Sequence, residues 1–438
     1  MQSKVSMVMP CYNKVKYIGE MFDSILAQEW DNIELILVND GSTDGTREVI
    51  TEYEPKFRNR GFEVIVEDQK NAGVCAAAKA GLALATGDYI CMVDSDDELD
   101  PKYVSVMAGW LDENTEYDYC ICNAVRYTGN GENKAFEPVY LSKIKSKDPF
   151  YTERYLLGDI RMTVWVYLVR AEYFKKCNII QSYFTETNGS HEPGYIIPLT
   201  MHNGNYKYFD LPLYHFNVAD LGHSRHDKYE QQKKFYDEYY QLCEIAINLL
   251  PEEIADSKKK EHLIKTALIS RSNHLYRYAK KISDGYQYID QALEQLVETM
   301  NSIYEFTTPI TKYDVIGKEE FFVLSIKNIL LGIPPTKISI KPNCRIIGYG
   351  ALGKSAAALI PLLKNTPIEP MELWDISGDG EAVKKPDFSS LKKDDLMLVF
   401  PLADQVLSDV KECSPCFVLN NNDIKHYLSH YLIAKYLT

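Results

Sequence analysis

Glu34-Leu-Ile-Leu-Val-Asn39-Asp40-Gly41-Ser42-Thr43-Asp44-Gly45 is an apolar run that ends in acids and a turn, and Asp88-Tyr-Ile-Cys-Met-Val-Asp94-Ser95-Asp96-Asp97 repeats the pattern further along the chain. Short apolar runs bounded by turn residues read as strands buried on both faces, the kind found in parallel sheets. In open α/β sheets ligands bind beyond the carboxyl ends of the strands. Two acid-tipped ends are therefore placed to serve one nucleotide and one metal ion.

Working outward, strands are expected at Val5–Met9, Leu35–Asn39, Glu63–Val66 and Tyr89–Val93. Helices are expected at Tyr17–Gln28, Thr46–Tyr53 and Gly73–Ala85, giving the βαβ rhythm of a parallel sheet. Ser42, Thr43 and Asp44 sit where a helix N-cap belongs. Pro101–Leu111 reads as a further helix and Tyr117–Tyr127 as a returning strand. From about Tyr140 to Arg225 polar and aromatic segments mix with Gly, Pro and His, and the pattern is weak.

The chain has 438 residues, more than one hydrophobic core usually supports. Its 48 basic and 62 acidic residues give a net charge of −14, which argues against nucleic acid as a partner. The 32 Tyr against 16 Phe are an excess of amphipathic aromatics, expected mostly as half-buried packing. Ten scattered cysteines, several inside apolar strands, point to a reducing compartment. No apolar run is long enough to span a bilayer.

From Lys228 the pattern turns helical, with segments at Tyr229–Leu250, Lys258–Ala279 and Tyr286–Phe306 separated by Pro251 and by Ser283-Asp284-Gly285. After Pro342 a second α/β unit begins. Cys344-Arg-Ile-Ile-Gly348-Tyr-Gly350-Ala-Leu-Gly353-Lys354 is a strand running into G-x-G-x-x-G and a helix, and Glu372-Leu-Trp-Asp375 ends the next strand. Such glycines permit a tight turn and close approach of phosphate to a helix N-terminus, with Asp375 placed for ribose hydroxyls. Gly348, Gly350, Gly353 and Asp375 thus outline a second nucleotide site, for NAD or another nucleotide. A Rossmann-like module without redox chemistry fits the same residues.

Five motifs taken in order carry a resemblance. Val5-Ser-Met-Val-Met-Pro10-Cys-Tyr12-Asn13, Asn39-Asp40-Gly-Ser-Thr-Asp44-Gly, Asn71-Ala-Gly73, Gly87-Asp-Tyr-Ile and Asp94-Ser-Asp96-Asp97 resemble the family 2 inverting glycosyltransferases of GT-A fold. The match is strong over roughly the first hundred residues and weaker beyond them. The resemblance implies an α/β nucleotide-diphospho-sugar transferase domain over 1–227. A helical linker domain over 228–338 and a Rossmann-like α/β domain over 339–438 are expected to follow.

It also implies roles. Nucleoside contacts fall on Pro10, Tyr12, Asn13, Asp40, Asn71 and Gly73, while a turn or helix cap remains the alternative for Asp40. Asp94 and Asp96 form the DxD pair for Mn²⁺ or Mg²⁺ on the donor diphosphate. The general base falls in His191-Glu192-Pro193-Gly194-Tyr195, where Glu192 stands in the place commonly held by Asp; a surface loop with an incidental acid is the competing reading, and Glu186 is the reserve. Within Tyr214-His215-Phe-Asn-Val-Ala-Asp-Leu-Gly222-His223-Ser224-Arg225, His223 is expected on the metal and Arg225 on the diphosphate. In the helix after Asn71, Ala76-Ala77-Ala78-Lys79 replaces a pattern that carries Arg-Asn in many relatives, so Lys79 or Lys70 must serve in its place.

The expected function is therefore transfer of a sugar, from UDP by preference, to a glycan or lipid-linked acceptor in bacterial-type surface polysaccharide synthesis. The expected place is the cytoplasm, with peripheral association at the inner membrane face. Two other classes fit parts of the chain. One is an NAD-dependent oxidoreductase or epimerase centred on the C-terminal domain, which lacks a Tyr-x-x-x-Lys set. The other is a non-catalytic nucleotide sensor or assembly protein. Oligomeric state is open.

Overall fold

In the computed structural model of the chain, the described residues are 2–128, 134–139, 150–158, 160, 163–182, 192–218, 228–281 and 285–303. Shorter pieces follow at 311–312, 323–324, 328, 345–349, 354–363, 369–374, 383, 390, 396–399, 417–420, 422–425 and 427–428. The chain divides into two compact units, Met1–Leu296 and Val297–Thr438.

The uninterrupted apolar runs form the centre of the first unit. β1 (Val5–Cys11), β2 (Ile33–Asp40), β3 (Glu63–Gln69) and β4 (Tyr89–Met92) run parallel in the order β3-β2-β1-β4. Every residue of β2 is buried, because helices cover both faces of a parallel sheet. Those helices are α1 (Ile18–Leu26), α2 (Thr46–Arg60) and α3 (Val74–Leu84). α3 is built of small residues, with Ala77, Ala78 and Gly81 buried, and it lies very close to the sheet. A Cβ on Gly81 would come within 2.5 Å of Val8 Cγ1. The departure at Ala76-Ala77-Ala78 is thus part of the helix-to-sheet packing, and Lys79 is left half-buried beside it.

Beyond β4 the sheet changes sense. After β5 (Glu98–Leu99) and α4 (Tyr103–Glu113) come β6 (Tyr119–Thr128) and β7 (Ala135–Val139). The short helices α5 (Tyr151–Leu156), α6 (Ala171–Lys176) and α7 (Ile179–Ser182), with β8 (Tyr167–Arg170) before α6, lead to α8 (Glu192–Met201) and β9 (Tyr206–Asn217). β8 pairs antiparallel with both β4 and β6, β9 runs parallel to β6, and β5 and β7 pair antiparallel with β9 and β6. The full order is β3-β2-β1-β4-β8-β6-β9-β5, with β7 on β6.

The tyrosines are buried more deeply than amphipathic packing suggests. Tyr89, Tyr103, Tyr119, Tyr127, Tyr167, Tyr195 and Tyr214 are among the largest fully buried side chains. Several have hydroxyl partners that make this affordable: Tyr89 donates to Asp112 at 2.7 Å, Tyr103 to the Trp165 carbonyl at 2.8 Å and Tyr173 to the Leu199 carbonyl at 2.9 Å.

α9 (Tyr229–Asn248) and α10 (Ser257–Ala279) belong to the same unit. Asp256 caps α10, accepting from Lys259 N at 2.8 Å. Cys243, Ala246, Ile247, Leu263 and Ala267 join the core that the sheet residues build, and Lys259 pairs with buried Glu153 of α5. The packing therefore continues across residue 227, where the sequence pattern suggested a boundary. α11 (Ile289–Ile303) crosses the division between the units.

In the second unit β10 (Ile346–Tyr349), β11 (Glu372–Trp374), β12 (Leu396–Val399) and β13 (Phe417–Leu419) form a parallel sheet of order β11-β10-β12-β13, with α12 (Lys354–Leu363) after β10. Gly348 is buried inside β10, paired with Leu373 on one side and Leu398 on the other. Gly350, Gly353 and Asp375 lie outside the described residues.

Candidate active site

Strand register puts the expected nucleotide residues on one edge. Pro10 pairs with Val38, Cys11 with Asn39 and Asp40 with Gln69, so β1, β2 and β3 end together, and β4 ends beside them just before Asp94. The loops leaving these strands are laced by short polar contacts. Asn13, held at φ +53°, accepts from Thr43 N at 2.8 Å, while Lys14 N donates to Thr46 Oγ1 at 2.7 Å and Val15 N to Asp44 at 3.1 Å. Asn, Asp, Ser and Thr recur there because their side chains substitute for missing backbone partners in turns. Tyr12 stands on this loop 39% exposed.

Asp40 is 2% exposed, and both of its oxygens are engaged. They accept from Gln69 Nε2 at 2.7 Å, Ala72 N at 2.9 Å and Gly73 N at 2.9 Å. It thus clamps the entrance to α3, the capping alternative of the sequence reading. Gly41, at φ +68°, passes so close to this loop that a Cβ there would lie 2.7 Å from Asn71 N. Asn71 is exposed on the loop, and Gly73 begins α3 with φ +90°.

Next to this edge, ligand oxygens of Asp94, Asp96 and Asp97 lie within 4.8 Å of one another. Asp97 is buried and fully committed, accepting from Tyr214 Oη at 2.7 Å and Asn217 N at 2.7 Å. Tyr214 Oη in turn accepts from Asp94 N at 3.1 Å, so β9 fixes the acidic turn from below. Asp96 is met by Lys14 Nζ at 2.7 Å, a contact sequence reading missed. Burial, then the charges of Asp96 and Glu192, push the Asp94 carboxyl up to about 8 against the pull of Lys14. Burial and the neighbouring carboxylates raise Asp97 as well. Crowded, half-desolvated carboxylates are what a hard divalent cation relieves, and the residues present fit one.

Glu192 is the first residue of α8, with Pro193 in the first helical turn, so it belongs to a helix and not to a surface loop. From Pro193 to Met201 every residue of α8 is buried, which pins Glu192 firmly. Its Oε2 is buried and, among the described residues, has no hydrogen-bond partner. An unpaired buried carboxylate oxygen costs stability and marks a group kept for a ligand or a proton. Tyr195, by contrast, is fully buried against Tyr167 and Phe174 and serves the core. Glu186, His191, His223 and Arg225 lie outside the described residues.

The acid-tipped strand ends of the parallel half-sheet thus lie within electrostatic reach of a carboxylate at the start of a buried helix. Residues 6–173 match the family described as glycosyl transferase family 2. It is 38% identical over 104 residues to glycosyltransferase GlyA of Streptococcus pneumoniae, covering 24% of this chain and 14% of that one. To the putative glycosyltransferase EpsH of Bacillus subtilis it is 28% identical over 249 residues, 57% of this chain and 69% of the other. Among solved structures, S. aureus TarS 1-349 in complex with UDP-GlcNAc superposes with a TM-score of 0.50 at 18% identity, covering 78% of this chain and 95% of that one. That likeness establishes the GT-A fold.

Proposed function

We propose that the chain is an inverting, metal-dependent glycosyltransferase that moves a sugar from a nucleotide diphosphate, UDP by preference, to a glycan or lipid-linked acceptor in surface polysaccharide synthesis. The observation that carries this reading is the buried Glu192 Oε2, without a hydrogen-bond partner among the described residues, whose charge helps to push up the Asp94 carboxyl of the acidic turn. In direct displacement Glu192 takes the proton of the acceptor hydroxyl as that oxygen bonds to the anomeric carbon, and the bond to the diphosphate breaks with its electron pair leaving on the phosphate. Asp94 and Asp96 would hold Mn²⁺ or Mg²⁺, which supplies charge neutralisation for the leaving diphosphate. His223 is proposed to join them and Arg225 to hold the diphosphate.

Tyr12, with the Pro10–Asn13 loop, is proposed as the wall for the base. The Asp40 clamp shapes the other side by fixing Ala72 and Gly73. UDP is favoured by the motif resemblance, and the TarS relative carries UDP-GlcNAc. The place proposed is the inner membrane face, with association through the surface; among the described residues no helix is long and apolar enough to cross a membrane. In the second unit, a nucleotide at Gly348, Gly350, Gly353 and Asp375 is a separate proposal, and the buried, paired position of Gly348 assigns it to the strand that precedes the turn.

A thermal-shift titration with UDP, CDP, GDP and NAD, with and without Mn²⁺, tests the reading. The expected outcome is a metal-dependent shift with UDP that disappears in Asp96→Asn. A shift with NAD alone would move the activity to the second unit.

A further inference from the structure

Glu192 has two neighbourhoods. Its charge reaches Asp94 of the acidic turn, and within the same compact unit Glu192 also lines a cavity of about 390 Å³ between α5, α9 and α10. Its walls are aromatic, with Tyr155 of α5 facing Tyr236 and Tyr239 of α9, and its far end carries His274 and Arg271 of α10. The tyrosines are held in place: Tyr239 Oη donates to Tyr155 Oη at 2.7 Å, and the His274 ring stacks on Tyr236 with centroids 5.4 Å apart. Arg271 is neutralised by Asp237 at 2.7 Å, and Asp237 also takes Lys233 at 2.8 Å. The charge of Glu192 reaches both Tyr155 and Tyr239, whose hydroxyls burial already keeps protonated.

We infer that this cavity is the acceptor subsite and that its ligand is a neutral pyranose, whose hydroxyl is brought to Glu192. The inference rests on the transferase reading and adds the chemical class of the acceptor. Four features support it. The volume falls in the usual small-molecule range of roughly 300–1,000 Å³. A pyranose offers a face of C–H groups that suits flat aromatic rings and a rim of hydroxyls that suits Tyr, Ser and His tips. Arg271 is paired with Asp237, and Glu192 lines the same cavity, so the lining does not favour a phosphate or carboxylate ligand. Finally, the buried Glu192 Oε2, without a partner among the described residues, is the acceptor group an incoming hydroxyl needs. On this account α9 and α10 are the acceptor half of the active site.

The test uses the full chain and saturation-transfer NMR with the methyl pyranosides of glucose, galactose and N-acetylglucosamine, alongside the UDP and Mn²⁺ thermal shift. At least one pyranoside is expected to bind the native protein. Tyr236→Ala, which removes a ring, and Ala267→Leu, which fills the pocket from α10, are each expected to weaken it about tenfold or more. The retained UDP shift shows that these variants are folded. Asp96→Asn is expected to do the reverse, losing the UDP shift and keeping the sugar signal. No pyranoside signal with the native protein, or a signal unchanged in both cavity variants, overturns the inference. If the sugar signal depends on Tyr236 while no nucleotide ever shifts the protein, the cavity stands as a saccharide site and the transferase reading falls. Octyl glycosides binding tighter than methyl glycosides identify a lipid-linked source for the sugar; equal affinity identifies a glycan chain.

Discussion

The two ends of the same three strands treat a buried carboxylate in opposite ways. At the amino end of β2, Glu34 is buried among donors: Ser6 Oγ, Thr86 N at 2.9 Å, Thr86 Oγ1 and Lys4 Nζ at 2.9 Å. Burial alone would raise it, yet these hydrogen bonds outweigh burial and hold its carboxyl below the usual range. At the carboxyl ends, Asp94 faces Asp96 and Glu192, and Lys14 is the cation that opposes them there. The difference separates an acid whose burial is compensated by donors from acids whose burial and mutual repulsion push their carboxyls up.

The largest effect that tests this contrast is kinetic. Glu192→Gln keeps shape and removes the proton acceptor, so turnover is expected to fall by about 10²–10⁴-fold while the metal-dependent UDP shift persists. Retained turnover takes Glu192 out of the base role. Next in size is stability. Glu34→Gln turns one of the two accepting oxygens into a donor and removes the charge opposite Lys4, and is expected to cost about 2–4 kcal/mol, read as a lower Tm. Asp94→Asn is expected to leave the metal-free stability within about 1 kcal/mol of native or above it. Equal losses at both positions would erase the distinction between the two ends.

The pH dependence carries the same contrast with opposite signs. Asp94, pushed up to about 8, keeps a proton in the folded state that the unfolded chain loses near pH 4. Metal-free stability is therefore expected to fall as pH rises through that window, and Mn²⁺ affinity to rise with pH as the proton is displaced. Glu34 contributes the reverse: its stabilisation is present above about pH 4, where the unfolded group ionises, and is lost as pH falls through its lower folded value. Tm against pH, with and without Mn²⁺, in native, Asp94→Asn and Glu34→Gln proteins separates the slopes. A metal-free Tm that climbs from pH 5 to 8 contradicts the arrangement at Asp94. The smallest expected effect is in Tyr214→Phe, which removes the hydroxyl joining Asp94 N to Asp97, at about 1 kcal/mol with weaker metal binding.

Much of the first half of the fold was legible because its signals are local. β1, β2 and β4 begin and end within about two residues of the apolar runs, and α3 lies inside the expected Gly73–Ala85 stretch. The half around β8, β9 and α5 to α8 was not legible, since β9 lies between β6 and β5 through pairings about ninety to a hundred and twenty residues apart, and no local periodicity reports such neighbours. Deep burial of the tyrosines was missed for a related reason, as their hydroxyl partners, Asp112, Trp165 and Leu199, come from other elements. Lys14 follows the first motif directly, but its side chain gives no sequence sign that it will reach Asp96.

The sequence by itself determined the alternating strands and helices of the parallel half, the acid-tipped edge where its strands end and the residue types a nucleotide diphosphate and a cation require. Periodicity and turn chemistry act between near neighbours, so they can be read along the chain. The tertiary structure alone decided which carboxylates are satisfied. It gave Asp40 to the α3 entrance and Asp97 to Tyr214, left Glu192 Oε2 without a partner among the described residues, and put it in one cavity lining with residues of α9 and α10. A carboxylate's chemistry depends on the donors and charges that folding brings within a few ångströms of it, and in this chain those come from residues far away in sequence.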